Sequence, residues 1–174
     1  MAMRTERLLL RPFAAGDADD LYAYLSDPEV VKFEPYAPLG RQQCVQEAAG
    51  RAENPGFTAV VLDGRVIGNI WLGQEGEDTY DVGWVFNRAY QGKGYAAEAA
   101  RAVLDDAFRR RGAHRVIAQV DPLNTPSWRL CERLGMRREG HLKKNVFFKR
   151  DGDGNPIWKD TYLYAILAEE WLAR

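Results

Sequence analysis

Apolar positions along this chain follow two periods, one of a helix and one of a strand. Between Gly94 and Arg111, Ala96, Ala100, Val103, Leu104, Ala107 and Phe108 recur at helical spacing, which predicts an amphipathic helix. Gly112 stands where that helix stops, a position glycine favours because it takes the left-handed conformation freely. Shorter helices are predicted over 17–25 (Leu21, Tyr22 and Leu25 on one face), 41–53 and 126–134, the last stopped by Gly135. β-rich runs occupy 7–11, 57–62, 66–72, 79–86 and 115–120. Asp63-Gly64-Arg65 separates two of them, and Asp-Gly accepts the positive φ of a tight hairpin turn. Two further β-like runs flank Asp151-Gly-Asp-Gly-Asn-Pro156. The order βααβββαβαββ gives an α/β (α+β) fold class, a mixed sheet with helices on its faces.

Composition narrows the function classes. The chain has 174 residues, 46% hydrophobic and 28% charged, with net charge −1, so a single domain over 1–174 with a proper core is expected. Without a block of five like charges, the sequence offers no nucleic-acid or membrane surface. Arg109-Arg110-Arg111 closes a predicted helix, where cations suit the dipole. Arg11 ends the N-terminal apolar run too early for a signal peptide, and no stretch approaches the roughly 18 apolar residues of a membrane span. Cys44 and Cys131 form no Cys-x-x-Cys, and the chain has two histidines, which argues against a disulfide and against a metal site. A cytoplasmic protein is expected.

The stretch Tyr90-Gln-Gly-Lys-Gly-Tyr-Ala-Ala-Glu-Ala-Ala100 carries the chemistry. Glycines between a strand and a helix let backbone N–H groups approach a phosphate. A Walker A loop fails, because Lys93 precedes Gly94 and no hydroxyl follows. Gly92, Gly94 and Ala97 fit Gly-x-Gly-x-x-Ala of a dinucleotide fold, with Asp121 ending the next strand as a ribose-binding acid. Against it, Asn87 to Gln91 separate strand from glycines, and the Asp-Gly hairpin makes the upstream strands antiparallel. The third reading is Gln-x-x-Gly-x-Ala, met by Gln91, Gly94 and Ala96.

That third pattern resembles the pyrophosphate loop of the GCN5-related N-acetyltransferase (GNAT) superfamily, and the likeness covers nearly the whole chain. Asp81-Val-Gly-Trp84 resembles the acidic-x-Gly-aromatic strand before the loop. Asn124-Thr-Pro-Ser127 with Glu132-Arg-Leu-Gly-Met136 resembles the Asn-x-x-Ser…Glu-x-Leu-Gly-Phe helix, and Glu139-Gly-His-Leu142 the strand after it. The tail Trp158-Lys-Asp-Thr-Tyr-Leu-Tyr164 with Glu170-Trp171 is similar to the Rim-type ribosomal-protein N-terminal acetyltransferases. The resemblance implies a mostly antiparallel central sheet whose splayed strands hold CoA, acetyl-CoA as co-substrate, and no metal. It implies a cofactor site of Val85 and Phe86 along the pantetheine, backbone N–H groups from Gln91, Gly92, Lys93, Gly94, Tyr95 and Ala96 on the pyrophosphate, and Asn124 on the cofactor arm.

Acetyl transfer needs a polarised thioester, a base for the amine and an acid for sulfur. Many family members carry a tyrosine acid seven residues after the asparagine; here that position is Cys131. By resemblance to the Rim branch the acid is Ser127, with Cys131 a weaker donor or buried filler. Asp81 is the expected base, acting through a bridging water. That suffices for an α-amine, with pKa ~7.7–8.0, better than for lysine at ~10.4. Asp17 and Asp20 are spare carboxylates on a solvent-facing helix, and His114 and His141 read as structural. The acceptor is an amine, either a protein N-terminus or a small molecule such as an antibiotic, polyamine or amino acid. Irregular segments 30–41 and 151–156 are expected to set its specificity. A homodimer is compatible with the fold, and a non-catalytic acyl-CoA-binding module is the alternative from another class.

Overall fold

The computed structural model describes residues 2–174. Eight strands form one sheet in the order β1-β2-β3-β4-β5-β6-β8-β7: β1 (Met3–Arg4), β2 (Leu9–Arg11), β3 (Phe57–Leu62), β4 (Arg65–Gln74), β5 (Thr79–Phe86), β6 (Arg115–Val120), β7 (Arg137–Arg150) and β8 (Pro156–Leu167). Every neighbouring pair is antiparallel except β5 with β6. Helices α1 (Ala18–Leu25) and α2 (Arg41–Glu53) cover one face; α3 (Tyr95–Arg109), α4 (Thr125–Arg133) and α5 (Ala168–Leu172) cover the other. Among the described residues no helix is long and apolar enough to cross a membrane.

Local chemistry explains the elements. Asp63 and Gly64 take φ of 48° and 80° and close the β3–β4 hairpin, as Asp-Gly predicts. The buried stripe of α3 (Ala100, Val103, Leu104, Ala107, Phe108) packs with Ile67, Ile70 and Val82 of the sheet. Pro126 sits in the first turn of α4, where a missing N–H costs nothing. On the opposite face, Leu21, Tyr24 and Leu25 of α1 meet Cys44 and Ala48 of α2. Tyr24, rather than the expected Tyr22, is the buried tyrosine; Tyr22 lies under the Arg41 guanidinium.

Two further expectations change. The run 7–11 is a strand only over Leu9–Arg11, because Thr5 bonds Leu8 in a turn and Arg7 reaches out to Glu98. Helix α5 went unpredicted; Trp171 buries its ring against Phe108, with centroids 5.8 Å apart.

The β4–β5 contact has no slack at Gly68. A Cβ there would stand 2.7 Å from the Val85 carbonyl oxygen and 2.6 Å from the Phe86 ring. The ring can turn; the paired backbone cannot. Gly68→Ala should therefore lower stability by about 1–3 kcal/mol through overpacking. Urea unfolding with an unchanged slope checks it, and wild-type stability would show that the strands separate freely.

Candidate active site

Strands β5 and β6 pair only over Thr79–Asp81 and Arg115–Ile117. Beyond that point β5 stays with β4 through Phe86, and β6 stays with β8 through Val120. The two strands diverge and open a wedge in the middle of the sheet. The segment after β5 folds over its mouth. Asn87 Oδ1 accepts from the Ala89 N–H at 3.0 Å, and Gln91 Nε2 donates to the Phe86 carbonyl at 2.9 Å.

Gly92 and Gly94 then take φ of 73° and 84°, and Gly94 becomes the N-cap of α3. A Cβ added at Gly92 would meet no protein atom within 4 Å, so the loop presents bare backbone to open space. The first-turn N–H groups of α3 have no intrahelical acceptor and lie at the positive end of the dipole. This is the environment a diphosphate requires. Arg7 pins the loop, donating to the Lys93 carbonyl at 3.0 Å while pairing with Glu98 at 2.7 Å.

Val85, Phe86, Gln91, Gly92, Gly94, Tyr95, Ala96 and Asn124 all line the resulting cavity of about 480 Å³. Lys93 is not on its wall; its ammonium turns back to the Ala89 carbonyl at 3.0 Å.

A second cavity of about 370 Å³ opens on the α2 side of the wedge. Phe33, Tyr36, Phe57, Trp71 and Phe148 make its walls aromatic. The Trp71 indole fills the space that side chains at Gly56 and Gly73 would need, 2.6 Å from a Cβ at Gly73. Arg51, 5% exposed, lies over the Phe57 ring at 4.5 Å and donates to Asn69 Oδ1, which also accepts from the Tyr24 hydroxyl. Segment 30–41 thus reaches the cavity through Phe33 to Tyr36. From the β7–β8 hairpin it is Phe148 that reaches in, while turn 151–156 lies off the wall.

The two cavities meet where Phe33, Glu34, Trp84, Val85, Asn124 and Ser127 line both. Ser127 Oγ accepts a hydrogen bond from Trp84 Nε1 at 3.0 Å. Indole N–H can only donate, so the serine proton is left to point elsewhere. Asn124 makes no side-chain cap on α4; its backbone carbonyl takes the Ser127 and Trp128 N–H groups, leaving its amide to the cavities.

Cys131 is fully buried, and burial pushes its thiol up to about 12, which fits packing rather than proton transfer. Asp17 is held by Arg11 at 2.7 Å, Asp20 accepts from the Val66 N–H at 2.8 Å, and Asp121 pairs with Lys159. His141 pairs with Asp160 at 2.8 Å. Asp81 stands at the last β5–β6 pair, 3.5 Å from Gln119 Nε2, and lines neither cavity. Burial, reinforced by Glu75, raises its carboxyl to about 6.

The Acetyltransferase (GNAT) domain model matches residues 7–137. The chain belongs to the GNAT acetyltransferase family. The N-acetyltransferase YnaD of Bacillus subtilis is 41% identical over 98% of this chain and 99% of its own length. A GNAT acetyltransferase of solved structure from Bacillus anthracis is 39% identical, with a TM-score of 0.89 over 98% of this chain and 100% of that one. RimJ of Mycobacterium smegmatis, solved in complex with CoA-disulfide, is 27% identical, with a TM-score of 0.75 over 94% of this chain and 83% of that one.

As a GNAT N-acetyltransferase the chain carries the expected sheet, and the antiparallel β4–β5 pair removes the dinucleotide reading, which needs a βαβ unit there. Sequence reasoning held Glu34 only as part of the specificity segment 30–41, without a role of its own, and missed Trp71 and Arg51 as cavity residues. No motif contains them; only the glycines Gly56 and Gly73 hinted at a large neighbour.

The high pKa of Asp81 makes a stability prediction. Between pH 4 and pH 6 the unfolded chain releases this proton while the folded chain keeps it, so ionisation favours unfolding. Asp81→Asn should gain thermal stability relative to wild type as pH rises through this window, with a constant difference above it. Melting curves of both proteins at each pH provide the test; parallel curves would place Asp81 in water.

Proposed function

We propose that this GNAT enzyme transfers acetyl from acetyl-CoA to the nitrogen of a primary amine with an apolar or aromatic body. The observation that carries this reading is the junction of the two cavities at Ser127. One cavity ends in bare backbone at a helix N-terminus, suited to a diphosphate; the other has aromatic walls suited to an amine. Acetyl-CoA, when bound, supplies the activated acyl group. Asn124 orients the cofactor arm, and backbone beside Val85 and Phe86 aligns it. The Ser127 hydroxyl gives its proton to the departing sulfur, and the Trp84 N–H stabilises charge developing on Oγ.

A second reading, acetylation of a protein N-terminus, draws on the resemblance of the tail 158–171 to the Rim-type N-terminal acetyltransferases and on the hairpin. Phe148 lines the cavity and, with Phe147 and Trp158 of the same hairpin, is exposed, a surface that a polypeptide behind the reacting amine could lie along. A panel of 2-phenylethylamine, spermidine, aminoglycosides, free amino acids and alanyl peptides, with thiol release as the signal, separates the two. Turnover of peptides alone selects the protein substrate; turnover of small amines alone rejects it.

Acetyl-CoA should raise the melting temperature by mass action, and NAD should not. Gly94→Val should abolish the rise, since a branched side chain cannot take φ of 84°. Protection by NAD alone would sink the assignment.

For the acid, Ser127→Ala should lower kcat about 10²-fold or more with acetyl-CoA affinity kept. Trp84→Phe keeps the ring but loses the donor, and should lower kcat by a smaller factor. A wild-type kcat in Ser127→Ala would transfer the role to water.

A further inference from the structure

The carboxylate expected from sequence to serve as base stands outside both cavities, and another carboxylate stands where they meet. Glu34 lies on the segment between α1 and α2, its N–H bonded to the Val31 carbonyl at 3.0 Å, with Val31 itself buried. It lines both cavities and is the only carboxylate among the residues common to them. Ser127, the only hydroxyl in that set, is there as well. A base must come within hydrogen-bond reach of the nitrogen, and the nitrogen must reach the acyl carbon beside the acid. Asp81 satisfies neither condition directly.

Resting on the acetyltransferase reading above, we propose that Glu34 is the general base, taking a proton from the acceptor ammonium seated in the aromatic cavity. Glu34 Oε accepts one ammonium proton, freeing the nitrogen lone pair. As the C–N bond forms and the C–S bond breaks, the electron pair leaves on sulfur. Ser127 passes its hydroxyl proton to sulfur and regains one from the nitrogen, which sheds its second proton. The proton on Glu34 goes to solvent, so the whole reaction releases one.

The surroundings shift this carboxyl upward without locking it in a salt bridge. Burial pushes the Glu34 carboxyl up, opposed by Tyr36 and by the Arg51 guanidinium. Arg51 is itself engaged by Glu47 at 2.8 Å and by Asn69 at 3.0 Å. Tyr24 is buried on α1 and stays neutral, its hydroxyl bonded to Asn69. From the β8 side, Lys159 lies over the Phe33 ring at 5.3 Å and is paired with Asp121. A cationic amine between Phe33, Tyr36 and Trp71 would be held by the ring faces and by this carboxylate together.

The test compares Glu34→Gln and Asp81→Asn with wild type, using 2-phenylethylamine and an alanyl dipeptide as acceptors. Glu34→Gln should lower kcat/KM for the amine about 10²–10³-fold near pH 7. The deficit should shrink as pH approaches the pKa of the amine, where free base is supplied by solution. Its melting-temperature rise with acetyl-CoA should match wild type, which separates lost base from lost fold. Asp81→Asn should keep the wild-type pH–rate profile.

A second readout needs no turnover: the ¹³C carboxyl resonance that disappears in Glu34→Gln should titrate above ordinary glutamates and move to lower pH on adding 2-phenylethylamine. A titration unmoved by either amine, or a pH-dependent deficit in Asp81→Asn with a wild-type profile in Glu34→Gln, would overturn the assignment. If wild type acetylates no amine while acetyl-CoA still protects it, the acetyltransferase reading of the site fails, and the carboxyl titration alone decides whether Glu34 meets the ammonium.

Discussion

Everything at this site depends on β5 and β6 parting after three residue pairs. Parallel strands normally continue side by side and satisfy each other's backbone groups. Here β5 follows β4 to Phe86 and β6 follows β8 to Val120, so each strand keeps one partner and exposes its other edge to the wedge. The sheet survives the opening because both halves are fastened elsewhere. Helix α3, with Val103 and Leu104, packs against β4 and β5; α4, with Leu130 and Cys131, packs against β6 and β8; and Trp171 of α5 packs on Phe108 of α3. An open wedge in a sheet leaves backbone donors and acceptors on both edges without a strand partner.

The walls on the two sides of the wedge are chemically opposite. On the α3 side, small residues and left-handed glycines bring backbone donors to the surface, and Arg7 ties that loop to the helix through Lys93 and Glu98. On the α2 side, rings dominate, and one buried cation, Arg51, is satisfied by Glu47, Asn69 and the faces of Phe13 and Phe57. Burying that guanidinium is tolerable only because its donors are met. Its charge, after the Tyr36 hydrogen bond, opposes the upward push that burial gives the neighbouring Glu34 carboxyl. Between the two walls, Trp84 on β5 donates to Ser127 on α4, so one hydrogen bond sets the Ser127 hydroxyl relative to β5.

The sequence by itself determined the elements and the glycine loop at the start of α3. Hydrophobic period, Asp-Gly at the hairpin and glycine at helix ends are local signals, and they placed β5, β6 and α2 at the residues observed and α3 within two. The loop from Gln91 to Ala96 was legible for the same reason, since positive φ and a helix N-terminus are properties of a short stretch. The family pattern added Asn124 and Ser127, which lie close in sequence to each other. On the second-cavity side only segment 30–41 was legible, and tertiary structure decided the rest. Glu34, Arg51, Trp71 and Phe148 come from four separate segments and share a cavity only after the sheet twists and the β7–β8 hairpin folds back. It also decided between Asp81 and Glu34 as groups that reach the junction. A carboxylate's standing in a motif says nothing about which side of a strand pair it faces, and burial and neighbours, which set where a proton sits, are sums over residues distant in the chain.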